Sequence, residues 1–537
     1  MSTNTIEKDV IVIGGGFGGC YLLKLLREKG FSTTLIEAAD RLGGVWAWSQ
    51  YPGARVDCEL PWYGFSDPAI WSTWMWTERY PSYIELRSYF DHVANVWDLH
   101  KDVLLNTRVV ETKWQEDEQV WLTKTEDGQK YRSRWVIAAT GTSFKQHIPE
   151  FPGKDKFRGE VHHSAVWPDS LPLNGKKVAV IGAGSSGLQV VQESAKVCTE
   201  LTQFIRTPNL AVPMRQRKIT PEEILAHKCQ FEHVFKACRT TRSGLPVVGT
   251  GRRTFDDSPE ERKRLLEEQW TRGGFNWSVG CYADTLIDKD ANLEFYKFWR
   301  SKQLLRMKNK QKADILIPEE PPYYISTKRP SLEQDYYEMA DRDNVTITNS
   351  PIVEFTERGI KTEDGIEHEF DIVAICTGYD AVTGGLRTMG IKGRDGIDLD
   401  EKWKDGIVTN LGMTVNGFPN FMMVYGPQAP TSLTNGPPFI ELQCEWILDL
   451  FLKQRGEKLA TVEPSKSAEQ AWREHTLDLA NKTLAVETDS WYMGANVPGK
   501  KREYLLYAGG IPMWHEHCQA ALEGWRDFET SRARAQM

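Results

Sequence analysis

The chain has 537 residues, a length that predicts three or four structural units or one large α/β assembly with inserted segments. Hydrophobic residues make up 40% and charged residues 26%, which sets aside disordered and collagen-like classes, and a net charge of -8 argues against general nucleic-acid binding. The nine cysteines include no C-x-x-C pair, so neither a disulfide framework nor a zinc site is indicated, and small molecules are the expected partners.

The opening MSTNTIEKD shows neither a basic nor an apolar leader, and the closing ARAQM matches no address signal. The longest apolar runs, such as Val10 to Ile13 and Phe421 to Tyr425, fall far short of the roughly 20 residues that span a bilayer. A soluble cytoplasmic protein with no membrane partner is expected.

Residues 9–37, DVIVIGGGFGGCYLLKLLREKGFSTTLIE, read as strand, glycine turn, helix and second strand, ending in an acid. The apolar run around Val10 and Val12 suits a parallel strand buried on both faces, and Leu22, Leu25 and Leu26 recur at helical spacing. Gly14, Gly16 and Gly19 fit G-x-G-x-x-G: a tight turn, a close backbone approach to a pyrophosphate, and a close helix–strand contact. Glu37 stands where an acid accepts hydrogen bonds from an adenosine ribose and repels a 2′-phosphate, so FAD or NAD suits this site better than NADP. Next comes GGVWAWSQYPGARVD, residues 43–57, in which Trp46 and Trp48 taken singly are core aromatics.

Further along, YRSRWVIAATG (131–141) reads as a strand running into a glycine turn, and FDIVAICTGY (370–379) repeats that pattern. Between them, residues 177–207 form a second βαβ unit with Gly182, Gly184 and Gly187 at the same spacing. Its second strand ends in Arg206 and Thr207, a cation and a hydroxyl suited to a 2′-phosphate, so NADPH is expected there. Residues 212–326 lose the α/β rhythm, and a helix is predicted to start at Ser258, with Pro259 at its first position and Glu260 and Glu261 in its first turn. The basic run Arg300 to Lys312 reads as a solvated helix face. The α/β character resumes at Asn344 to Ile347.

FAD and NADPH in one chain imply hydride transfer to the flavin and a further electron acceptor. A disulfide reductase would need a cysteine pair soon after the first βαβ unit, where only the unpaired Cys58 follows Gly43-Gly44-Val45-Trp46, so dioxygen (O2) is the expected acceptor.

Residues 157–168, FRGEVHHSAVWP, fit F-x-G-x-x-x-H-x-x-x-W-P and resemble the fingerprint of Baeyer-Villiger monooxygenases; His163 taken alone is a hydrogen-bonding linker residue. Gly44, Trp46, Tyr51, Pro52, Gly53 and Asp57 resemble a second fingerprint of that family. Lys328-Arg329-Pro330 resembles the site of its active-site arginine, and Trp491 in WYMGANVPGKK resembles a late loop that closes over the nicotinamide cofactor. The resemblance covers nearly the whole chain and is weakest over 212–326.

Together with the two βαβ units and the change of rhythm over 212–326, it implies two Rossmann-like dinucleotide-binding domains with a helical insertion. The expected division is a first FAD part at 1–145, a first NADP part at 146–211, the insertion at 212–326, a second NADP part at 327–380 and a second FAD part at 381–537. It also implies conversion of a ketone to an ester or lactone through a peroxyflavin and a tetrahedral adduct. Arg329 would stabilise the deprotonated peroxide and Asp57 would orient Arg329. Lys328 is a second candidate for the NADP phosphate, and residues 426–439 are expected on the substrate side. The alternatives are S- or N-oxygenation and a non-catalytic FAD/NADPH redox sensor; oligomeric state and ketone type are left open.

Overall fold

Parallel pairing of short apolar strands decides the architecture. In the computed structural model, which describes residues 5–532, the first half of the chain supplies β1 (Ile6–Ile13), β2 (Thr33–Ile36), β3 (Val103–Leu104), β4 (Val109–Gln115), β5 (Val120–Thr125) and β6 (Lys130–Ala138). They form an eight-stranded sheet in the order Ile391–Lys392, β4, β5, β6, β1, β2, β3, with Phe421–Met423 also parallel to β6. The apolar half of β1, Val10 to Ile13, lies between β2 and β6 and is fully buried, whereas its polar first half is not. Helix Phe17–Glu28 connects β1 to β2 and buries Leu22, Leu23 and Leu26, while Leu25 stays half-buried. Truncating a side chain such as Leu22 to Ala would cost about 2–5 kcal/mol.

The second parallel sheet contains β7 (Glu160–His163), β8 (Lys177–Ile181) and β9 (Glu200–Phe204), in the order Val345–Thr348, β9, β8, Ile372–Ile375, β7. Helix Ser185–Ser194 connects β8 to β9 in the same way. The fold is α/β with two Rossmann-like sheets and a helical insertion between β9 and Val345–Thr348.

Helix Pro259–Arg272 starts at Ser258. The Ser258 hydroxyl accepts the Glu261 N–H at 3.3 Å, and the Glu261 carboxylate accepts the Ser258 N–H at 3.0 Å. The basic run after Arg300 differs from the solvated face expected of it. Its helix ends at Leu304, and Arg306 turns inward to the buried Glu333, at 2.5 Å, and to Glu338 at 2.6 Å. A buried carboxylate needs a cationic partner, and Arg306 supplies it.

Among the described residues, no helix is long and apolar enough to cross a membrane, and no group of three or more His, Cys, Asp or Glu could hold a metal ion. Residues 1–4 and 533–537, part of the terminal segments read for targeting signals, lie outside the described residues.

Candidate active site

Backbone crowding builds one wall of the site. Gly14 has φ +108°, and a Cβ there would stand 2.5 Å from the Ala139 carbonyl oxygen; at Gly19 it would stand 1.8 Å from the Gly14 oxygen. Gly44, at φ +57°, lies so close to Gly16 that a Cβ would come within 2.9 Å of the Gly16 Cα. Helix Phe17–Glu28 begins at Gly16 with no side-chain cap. Behind the turn, Glu37 accepts the Gly15 N–H at 2.5 Å and the Ala39 N–H at 2.7 Å. Burial pushes the Glu37 carboxyl above its usual range, and those two backbone donors pull the other way.

A cavity of about 640 Å³ opens from this wall and is lined by Gly14, Gly16, Glu37 and Gly44. Trp46, Asp57, Arg329 and Trp491 line it farther along. Asp57 and Arg329 form a two-point ion pair: Arg329 Nε donates to Oδ2 at 2.6 Å and Nη2 to Oδ1 at 2.9 Å. Arg329 Nη1 donates to the Ser432 carbonyl at 2.7 Å, and the Phe275 ring of the insertion lies 4.8 Å from the guanidinium carbon. Burial works against the Arg329 charge, but Asp57 outweighs it and holds the guanidinium well above its usual range. Of the five guanidinium N–H groups, these oxygens take three.

The stretch 43–57 also reaches the unit built on the second parallel sheet. Trp46 Nε1 donates to the Tyr63 hydroxyl at 3.2 Å, and Arg87 holds the Trp46 carbonyl at 3.0 Å. Tyr51 donates to Gln189 Oε1 at 2.9 Å, and Gln50 Nε2 donates to the Trp167 carbonyl at 2.6 Å. Two motifs separated by more than a hundred residues therefore meet. His163 is buried at the end of β7, where its Nδ1 accepts the Ala165 N–H at 3.1 Å; burial pulls its pKa down to about 4.

The second glycine turn repeats the crowding. Cβ atoms at Gly182 and Gly187 would stand 2.3 Å from the Cys376 oxygen and 2.4 Å from the Gly182 oxygen. Gly184, however, is exposed and has nothing within 4 Å of a Cβ position. Gly182, Gly184 and Gly187 stand outside the cavity lining, but Ser185, Ser186 and Gln189 of the same helix reach it. Arg206, Thr207 and Lys328 also stand outside it. Burial lowers the Lys328 ammonium from its usual range, and the Arg206 cation lowers it further. Lys328 lies 4.5 Å over the Tyr323 ring, and Trp491 packs against Tyr492 at 4.5 Å.

Residues 426–430 do not line the cavity, contrary to the expectation for them, whereas Tyr425, Ser432, Thr434 and Pro437 do. Gln428 is turned inward: its side-chain oxygen accepts the Thr409 N–H at 3.0 Å, and its main-chain N–H donates to the Leu505 carbonyl at 2.7 Å. Tyr63, Phe275 and Tyr425 were not among the residues read from the sequence. A single aromatic carries no local signal of which side chain or cavity it faces.

A model of the flavin-binding monooxygenase-like family matches residues 7–228. The chain is 38% identical over 534 residues to an FAD-binding monooxygenase of Aspergillus aculeatus, covering 99% of this chain and 90% of that one. It is 37% identical over 534 residues to the cyclopentanone 1,2-monooxygenase of a Comamonas species, covering 98% and 97%. The chain belongs to the flavin-binding monooxygenases of the Baeyer-Villiger type. A crystal structure of cyclohexanone monooxygenase from Rhodococcus sp. Phi1 bound to NADP+ matches this monooxygenase with a TM-score of 0.95 at 36% identity, covering 99% of this chain and 100% of that one.

The residues present fit a flavin dinucleotide. A Cβ at Gly14 would clash, a Cβ at Gly44 would close the approach between the two loops, and the uncapped helix start at Gly16 faces the cavity. The Glu37 carboxylate accepts two backbone N–H groups and retains acceptor capacity for ribose hydroxyls.

Proposed function

We propose that this monooxygenase converts a ketone to an ester or lactone at the Arg329–Asp57 pair, with NADPH and O2 as co-substrates. The overall balance is ketone, O2, NADPH and a proton giving ester, NADP+ and water. The bidentate pair on the wall of the cavity that runs from the first glycine turn carries the reading. Bound FAD supplies a ring that accepts hydride from NADPH and activates O2.

The chain's own groups do the rest. Gly14, Gly16, Gly19 and Glu37 hold the pyrophosphate and ribose of FAD, while Gly44 and Trp46 keep backbone and an aromatic wall close to its ring. Arg329 keeps a fixed positive charge beside the reacting oxygen, and a guanidinium cannot surrender a proton at working pH, so an attacking oxygen anion stays unprotonated. Asp57 grips one edge of that guanidinium and the Ser432 carbonyl takes a third N–H, which leaves two N–H groups for the reacting atoms. Gly182, Gly184 and Gly187 receive the NADPH pyrophosphate; Arg206, Thr207 and Lys328 take its 2′-phosphate, and Trp491 covers the nicotinamide side. This assignment divides the chain at the boundaries expected above, with FAD parts at 1–145 and 381–537 and NADP parts at 146–211 and 327–380.

Incubation of the purified protein with NADPH, O2 and a panel of ketones and sulfides tests the reading. Ester or lactone formed in proportion to NADPH consumed is expected. Sulfoxide without ester would replace the reading by S-oxygenation, and NADPH loss matched only by hydrogen peroxide would leave a non-oxygenating flavoprotein.

A further inference from the structure

We infer that Tyr425 is a positioning residue for Arg329, acting through the main chain of Ser432. The inference rests on the reading of Arg329 as the fixed charge beside the reacting oxygen. Tyr425 follows the strand Phe421–Met423, lines the cavity and is half-buried. Its N–H donates to Gln443 Oε1 at 2.8 Å, and its hydroxyl accepts the Ser432 N–H at 3.0 Å. The Ser432 carbonyl in turn accepts Arg329 Nη1 at 2.7 Å. Ser432 is therefore held at its N–H by Tyr425 while its C=O holds Arg329.

The backbone shows why such a tie is needed. Tyr425 has φ +62° and Ser432 has φ +60°, left-handed conformations that residues with a Cβ adopt only when surrounding contacts compensate. The segment is anchored at its far end, where the Asn435 N–H donates to the Ser243 carbonyl at 2.8 Å and Asn435 Nδ2 donates to the Trp62 carbonyl at 2.6 Å. Within it, Thr431 Oγ1 donates to the Gly426 carbonyl at 2.7 Å. Ser432 lies between these anchors, and the Tyr425 hydroxyl is what meets its N–H. Asp57 grips Arg329 by Nε and Nη2, so without the hydroxyl the arginine would keep that edge and lose a fixed partner on Nη1. The charge would remain in the cavity but sample more orientations.

A packing role makes a different prediction. The Tyr425 ring lies 6.1 Å from Phe439, and Tyr425→Phe preserves that contact while removing only the hydroxyl. Ser432→Gly keeps both main-chain groups and accepts a positive φ, so it serves as the second variant.

The experiment measures phenylglyoxal labelling of Arg329 in the flavin-loaded enzyme by peptide mass spectrometry, alongside ester formed per NADPH consumed. Labelling of Arg329 is expected to quicken about three- to tenfold in Tyr425→Phe, as for the loss of one hydrogen bond, and to stay near wild type in Ser432→Gly. Ester per NADPH should fall by a similar factor in Tyr425→Phe, with flavin content and the KM for NADPH unchanged. Unchanged labelling in Tyr425→Phe, or equal quickening in Ser432→Gly, would overturn the inference. Labelling that responds as expected in an enzyme that makes no ester would support the inference and count against the ketone reading, so the two failures are distinguishable.

Discussion

The two glycine turns share a βαβ frame and a G-x-G-x-x-G spacing, yet one is enclosed and the other open. At the first, Gly16 is pressed against Gly44, and the acid that follows β2, Glu37, is only 5% exposed. At the second, Gly184 meets open space, and Arg206 at the end of β9 is exposed. The local rule that builds the turn is the same; what surrounds it differs. Enclosure and openness are the surroundings in which the proposed FAD and NADPH sites sit.

The sharpest way to break this comparison is a Gly→Ala substitution in each turn, at the first glycine of one and the second glycine of the other. Gly14→Ala must place a Cβ 2.5 Å from the Ala139 oxygen at φ +108°, so the purified protein should carry essentially no flavin by its visible absorbance. Gly184→Ala meets nothing within 4 Å, and its flavin content should match wild type while its affinity for NADPH falls. Equal flavin loss in both variants would remove the distinction. Next in size, Arg329→Ala should lower ester formation about 10²- to 10³-fold, as for removal of one donor from a developing oxyanion. Reduction of the flavin by NADPH, followed anaerobically, should persist, and its loss would move Arg329 from the oxygen step to the hydride step.

The sequence carried the local features and lost the distant ones. Both glycine turns, the helix start at Ser258 and the parallel strands were legible because each depends on residues within about one element of one another. Arg306 was not: as one cation in a basic run it reads as solvated, and its partners Glu333 and Glu338 come from beyond the insertion. Residues 426–430 were misplaced for a related reason. A Gly-Pro segment marks a turn, but the direction it faces depends on Thr409 and Leu505, which no local pattern connects to Gln428. Asp57 and Arg329 stand 272 residues apart, and resemblance to a family could nominate the pair while composition and spacing alone could not.

A smaller effect separates the charges of the two turns. If the guanidinium recognises a 2′-phosphate, as we propose, Arg206→Ala should raise the KM for NADPH about tenfold and leave the KM for NADH within about twofold. Flavin content should be untouched. If NADH and NADPH lose affinity equally, Arg206 acts on the turn and not on the phosphate.

The smallest effect concerns what backs the enclosed turn. Helix Gly436–Gly456 packs on helix Phe17–Glu28, and its Glu445 accepts the Tyr21 hydroxyl at 3.0 Å and Arg239 Nη1 at 3.0 Å. One turn earlier, Glu441 is 1% exposed and accepts the Ser66 N–H at 2.8 Å and the Ser66 hydroxyl at 2.6 Å. Burial pushes the Glu441 carboxyl up to about 7, against the opposing pull of Ser66 and Arg239. A carboxyl whose folded pKa lies above its unfolded value binds more protons in the native state between the two. Its contribution is fully present below the unfolded pKa, near 4.5, and is lost as pH rises through about 7. Melting curves of wild type and Glu441→Gln from pH 5 to 8 should therefore diverge, with wild type falling by roughly 3 °C more than the variant, which has no carboxyl to titrate. Parallel curves would mean that Glu441 keeps one protonation state across this range, and that the enclosed turn is backed by a fixed charge network centred on Arg239.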